Sequence, residues 1–286
     1  MLISDVTVKF LLYLEAKGDR PRTLETYDQR LRLFSEETGV TEIEDVTAEV
    51  IDFWVVGMRR RGLAKSTVNN RLRDVKTFFK WCVLRGYLAA SPANHLAIKG
   101  RWSQTVVKAM DKDDLKLILG TADNARDVAL IRFMASTGCR SGEVASVKLR
   151  DTDLDKCEAW VTGKTGGRTV DFNRDTRAVL SAWLNEHPNP GSGFVFVSLR
   201  APYDPITPGT IYQLFRRLAK TAGVDGRFNP HSVRHLVGQV WTDETNLELT
   251  RQKLGHRDIS TTMVYANQDR SRLKAATERI DPLGPL

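Results

Sequence analysis

The first 90 residues carry apolar positions at helical spacing and nothing that alternates like a strand. From Val68 onward, Leu72, Val75, Phe79 and Cys82 follow at steps of four and three, the buried stripe of an amphipathic helix, and Ser66 just ahead is a good N-cap. Val8 to Leu14 and Thr23 to Phe34 read the same way, so residues 1–90 are expected to be an all-helical domain. Between about Leu88 and Lys108 the pattern stops, and residues 91–108, with Lys99 and Arg101, read as a basic interdomain linker. Residues 109–286 make the second domain. Asp111, with Asp114 three residues on, marks a helix start, and another helix is expected from Asn124 to Ser136. Glu158 to Val161 and Arg168 to Phe172 are strand candidates, joined by the glycine-rich turn Thr162–Gly167. Phe194 to Val197 is a third candidate strand. Thr207-Pro208 opens a helix reaching about Ala222, with proline at its first position, and the remainder reads as short helices. The expected fold class is mainly α: a helical N-terminal domain and a mostly helical second domain with a small antiparallel β-sheet.

Charge sharpens this picture. The 286 residues hold 43 basic against 35 acidic side chains, a net charge of +8 that favours a polyanionic partner. No apolar run approaches the roughly 20 residues that span a bilayer, so a membrane is not expected as partner. The N-terminus lacks the order of a secretory signal, and Cys82, Cys139 and Cys157 are too scattered for a CxxC site. Reduced thiols and a cytoplasmic location are the expectation. Residues 1–58 hold six Lys/Arg against twelve Asp/Glu, whereas residues 59–85 hold nine against Asp74 alone. Such a run is often only a solvated face. Here Asn69, Arg73, Lys76 and Lys80, with Arg71 among them, repeat on the helix away from the apolar stripe, mixing groups suited to phosphates and base edges. On the later helix, Gln213, Arg216 and Arg217 are candidates of the same kind.

Groups able to act on phosphate gather in the second half. Thr137-Gly138-Cys139-Arg140-Ser141-Gly142-Glu143 sets an arginine at a helix start, with Glu143 one turn on to orient it or a neighbour. Alone, this is an ordinary surface ion pair. His231-Ser232-Val233-Arg234-His235 packs two histidines and an arginine into one turn. His231 and His235 also have the spacing of a zinc pair, but Ser232 stands where a metalloprotease helix needs glutamate, and Arg234 would repel the metal. Leu254-Gly255-His256 and then Ile259 to Tyr265 complete the set; a lone tyrosine after valine is ordinarily a packing residue.

The succession TGCRSGEV, GKTGGR, HSVRH, LGH and STTMVY resembles the tyrosine recombinase, or phage integrase, family, in its compact form without an arm-binding domain. That family's arginine, hairpin lysine, His-x-x-Arg, second histidine and tyrosine match Arg140, Lys164, His231, Arg234, His256 and Tyr265, and Glu143 matches its acidic residue. The segments FLLYLEAKGDRPRTLETYDQRLRLF and RGLAKSTVNNRLRDVKTFFKWCVLRGYLAASPA look like the family's core-DNA-binding domain. Cys139, where leucine is common, and Gly166-Gly167 at the hairpin tip depart from the pattern.

The chemistry accounts for the residue types. Displacing an alcohol from a phosphodiester builds charge on the non-bridging oxygens, which two guanidiniums can grip, here Arg140 and Arg234, with His256 as a further donor. A tyrosine is mostly neutral at pH 7 and needs a proton acceptor or relay, the role given to His231. Lys164 is the candidate proton donor to the departing 5′ oxygen. The resemblance implies a 3′-phosphotyrosyl intermediate that needs neither nucleotide nor metal, hence no cofactor. It further implies double-stranded DNA core (attachment) sites as substrate, a homo-tetramer assembled on two sites from a solution monomer, and a directionality factor as an optional partner. Integration and excision of a phage or mobile element is favoured over resolution of chromosome dimers, because the N-terminal and post-tyrosine segments look diverged from the housekeeping type. A type IB topoisomerase would share the nucleophile, and a non-catalytic DNA-binding protein would share the fold.

Overall fold

The structure, a computed structural model, describes residues 1–96, 109–163, 166–226, 228–256, 258 and 261–265. Lys99, Arg101 and Lys164 lie outside the described residues. The chain forms two compact units, Met1–Gln104 and Thr105–Leu286.

The first unit holds α1 (Ile3–Ala16), α2 (Pro21–Thr38), α3 (Ala48–Arg60) and α4 (Lys65–Leu84). Its core is aromatic: Phe10 meets Phe78 edge-on at 5.5 Å and Phe34 meets Trp54 at 4.9 Å, all four buried. Val68, Leu72, Val75, Phe79 and Cys82 of α4 are buried, as the apolar stripe requires. The helix begins two residues earlier than Ser66 suggests: Ala64 is the N-cap, without a side-chain bond, and Ser66 lies inside the first turn. Periodicity does not single out α3, because Val50, Phe53, Trp54, Val55 and Val56 surround it with apolar positions and leave no single stripe. Beneath these helices Glu37 accepts from Trp54 Nε1 at 2.6 Å and pairs with Arg61 and Arg71, joining α2, α3 and α4.

In the second unit α5 (Lys112–Gly120), α6 (Ala125–Thr137) and α7 (Ser141–Ala145) precede β1 (Thr152–Asp153), β2 (Glu158–Gly163) and β3 (Gly166–Asp171). Then come α8 (Arg174–Asn185), α9 (Pro208–Thr221), α10 (Pro230–Glu244) and α11 (Leu247–Leu254). Asn124, Asn173, Thr207, Asn229 and Asn246 each cap a helix by accepting the backbone N–H three residues on. Asp111 caps α5 through the Asp113 N–H. The sheet is antiparallel in the order β1-β2-β3, with Val161 opposite Arg168 and Gly163 opposite Gly166. Phe194–Val197 is not a strand; it makes only isolated bridges, Lys148 with Phe194 and Val197 with Pro205, and Val195, Phe196 and Val197 are buried. The sequence pattern did not single out α8, and of the short helices expected after Ala222, α11 has 8 residues but α10 runs to 15. Phe133, Phe196, Phe215 and Trp183 fill the centre. Among the described residues no helix is long and apolar enough to cross a membrane.

Candidate active site

Arg140 is the N-cap of α7, and Glu143 answers it twice: its carboxylate accepts the Arg140 backbone N–H at 2.8 Å and the guanidinium at 3.0 Å. Glu143 is 1% exposed, so an unpaired charge there would be costly. Arg168 of β3 supplies the second cation, its fork reaching both Glu143 oxygens at 2.8 and 3.1 Å. Burial pushes the Glu143 carboxyl up, but Arg168 and the Arg140 N–H outweigh it, and the pKa ends below the ordinary range. Gly255 permits this arrangement, since a Cβ there would lie 2.5 Å from Arg168 Cδ. The link from β3 through a buried carboxylate to Arg140 is absent from the motif pattern. A basic residue four places after the hairpin lysine was its only trace in the sequence.

On α10 the polar cluster occupies one turn. Arg234 is buried, donating to the carbonyls of Gly138 and Leu254, both at 2.7 Å. Burial and the neighbouring Arg140 bring its pKa down to about 10, which leaves it charged at neutral pH. His231 keeps an exposed edge while packing edge-on against His235, ring centres 4.3 Å apart; the partial burial of its ring, then Arg234 and Arg140, lower its pKa. As for the zinc spacing, no cluster of three metal-ligating side chains occurs among the described residues.

His256 follows Gly255, whose φ of +63° ends α11 and turns the chain back. The imidazole is buried, with Nδ1 2.9 Å from the Thr262 hydroxyl. Burial, then Arg234 and Arg140, press its pKa down to about 4, so the ring is neutral. When Nδ1 accepts from Thr262, Nε2 carries the hydrogen and is free to donate.

Tyr265 closes the site from a 3-10 turn, Met263–Tyr265. Its ring lies parallel to that of His256, at 11° and 6.5 Å, and against the backbone of Gly238 on α10. The phenolic oxygen is 2.8 Å from His235 Nδ1. Burial raises the Tyr265 pKa more than Arg234 and Arg140 lower it. Thus Arg140, Glu143, His231, Arg234, His256 and Tyr265 are held within one unit by α7, α10, α11 and the turn after it. The residue beside the phenol is His235, whose spacing from His231 suggested only a metal pair.

The basic positions divide on inspection. Arg73 and Lys80 are exposed on α4 and Asn69 is half-buried. Arg71, expected to face DNA, turns inward to Glu37 at 3.3 Å, and Lys76 donates to the Leu96 carbonyl at 2.5 Å. Gln213, Arg216 and Arg217 are all exposed on α9, and Arg217 also pairs with the fully buried Asp127 at 2.9 Å. A buried carboxylate attracts the nearest guanidinium, and a sequence does not say which cation that will be.

The model described as the phage integrase family matches residues 108–272, and that described as the phage integrase N-terminal SAM-like domain matches residues 8–86. Tyrosine recombinase XerC of Salmonella typhi is 26% identical over 284 residues, covering 96% of this chain and 94% of that protein. The chain is similar in fold to the Tn1549 transposon integrase in complex with a circular intermediate DNA, with TM-score 0.79, 18% identity and coverage of 98% and 100%. It is likewise similar to a lambda integrase tetramer bound to a Holliday junction, with TM-score 0.78, 16% identity and coverage of 94% and 79%.

Proposed function

The chain belongs to the phage integrase family, and we propose that Tyr265 is the nucleophile with which this tyrosine-type site-specific recombinase cuts and rejoins DNA. The observation that carries the assignment is the position of the Tyr265 oxygen, hydrogen-bonded on the same turn of α10 as the buried Arg234. Arg140 and Arg234 hold the non-bridging oxygens of the scissile phosphate, because permanently charged forks follow the charge that grows there. Glu143 fixes Arg140 at 3.0 Å and so sets the angle at which that fork meets phosphate. His256, neutral with Nδ1 engaged by Thr262, donates from Nε2. His231 serves as proton relay at the exposed edge, and Lys164 as the acid that protonates the leaving 5′ oxygen. The phosphotyrosine ester conserves the energy of the broken bond, and the released 5′ hydroxyl can attack it to rejoin.

A nicked, suicide-type site, from which the 5′ fragment diffuses away, tests the assignment. The parent should accumulate covalent protein–DNA adduct, and Tyr265→Phe should form none while binding the site within a few-fold. Adduct formed by the Phe variant would show the nucleophile to be elsewhere. Sequencing the trapped ends also reads out the biological substrate. We favour integration and excision of a phage or mobile element at double-stranded core sites in the host cytoplasm. The likeness to XerC along nearly the full chain favours a second reading, resolution of chromosome dimers, and ends mapping to one chromosomal locus would select it. Assembly as a homo-tetramer on two sites follows the lambda integrase tetramer to which the fold is similar, with a directionality factor as an added partner.

A further inference from the structure

We propose that His235 is a catalytic residue, the group that receives the phenolic proton of Tyr265. This rests on Tyr265 being the nucleophile. Three contacts lead to it. Arg234, adjacent in sequence, is held by the carbonyls of Gly138 and Leu254, which fixes the rotation of α10 at this turn. One turn on, Gly238 has no side chain, and the Tyr265 ring fills that space; a Cβ would lie 2.5 Å from its Cζ. With ring and helix so registered, the phenolic oxygen falls 2.8 Å from His235 Nδ1, within the range for a direct proton transfer.

The other two histidines are less well placed for that step. His256 lies parallel to the phenol ring and its Nδ1 is engaged by Thr262. His231 packs behind His235 edge-on and is exposed, a position from which a proton can pass to solvent. A base is needed because burial keeps the phenol protonated in spite of two nearby arginines.

The step balances as follows. A Tyr265 oxygen lone pair forms the new O–P bond, the phenolic proton moves to Nδ1 of His235, and the P–O5′ bond breaks. The departing oxygen takes its proton from a separate donor, Lys164 in the reading above. On rejoining, the 5′ hydroxyl gives its proton back to the now-neutral Lys164 amine as its oxygen attacks phosphorus, the O–P bond to tyrosine breaks, and the imidazolium returns its proton to the phenolic oxygen.

His235→Asn separates this role from mere anchoring. Asparagine can keep a hydrogen bond near the Nδ1 position but cannot hold the proton. On the trapped site from the suicide assay it should bind like the parent and cleave about a hundredfold more slowly. Incorporating 2,3,5-trifluorotyrosine at position 265 gives a phenol acidic enough to ionise without a base. It should restore most of the rate in His235→Asn and change the parent only a few-fold. Parent-like cleavage by His235→Asn, or a defect that the fluorinated phenol leaves intact, would overturn the proposal. Should the Asn variant bind poorly, His235→Ala with imidazole in the medium gives the same decision, rescue supporting the proposal and its absence rejecting it. Failure of the nucleophile assignment looks different: adduct would persist in Tyr265→Phe.

Discussion

Gly238 is the residue where packing and chemistry meet most closely. It sits in the middle of α10, where alanine would favour the helix by about 1 kcal/mol. A methyl there would collide with the Tyr265 ring, which would have to leave its place beside His235. Gly238→Ala is therefore expected to keep or raise the melting temperature while adduct formation falls at least about tenfold, as misplacement of a reacting group requires. A variant that melts like the parent and cleaves like it would mean the ring has another equally good seat. His256 gives a residue-scale test in pH. Its folded pKa of about 4 lies below the ordinary value of about 6.5, so the unfolded chain takes up the proton first as pH falls. The stability it contributes is complete above about pH 6.5 and is lost progressively down to about pH 4, by at most about 3 kcal/mol. His231, also lowered, acts with the same sign. Urea unfolding at pH 7 and pH 5 should show a smaller acid loss in His256→Gln than in the parent.

Among the elements, α4 shows how neighbouring cations on one helix divide between bonds within their own unit and exposure to solvent. Arg71 is bound to Glu37 and Lys76 to the Leu96 carbonyl, while Arg73 and Lys80 keep exposed ends. Arg73→Ala and Lys80→Ala should each weaken core-site binding and reduce the slope of log K against log salt, by about 0.9 for each phosphate contact removed. Arg71→Ala should leave that slope unchanged and instead lower the stability of the first unit, because Glu37 loses a partner. Equal slopes in all three variants would make the exposed face of α4 an ordinary solvated surface. The pairing of β2 with β3 matters for a different reason. It delivers Arg168 to Glu143, so the strand that follows the hairpin lysine in sequence shares one buried carboxylate with Arg140.

Across the whole molecule, sequence told most where a residue type was demanded by chemistry or by helical period. Arg140, Arg234, His256 and Tyr265 stood out because their succession resembles that of the tyrosine recombinase family, α4 because its apolar positions repeat, and α9 because Thr207-Pro208 marks its start. Two features were not legible for physical reasons. The choice of His235 over His231 beside the phenol depends on where the turn after α11 lands on α10, a tertiary contact set by Gly238. The pairing of Arg71 with half-buried Glu37 and of the exposed Arg217 with fully buried Asp127 depends on how deep those carboxylates sit, which no local pattern reveals. One of these contacts also bears on inheritance. The phenolic oxygen of Tyr265 rests on a histidine of its own chain, next in sequence to its own chain's Arg234, so under the proposed function each copy would cut with its own tyrosine. In a mixed population of intact and defective copies, a defective one would then silence only the strand it occupies. Neither could lend the other a tyrosine, so intact copies would not complement defective ones, and recombination by a tetramer that needs all its copies would fall more steeply than the fraction of intact copies.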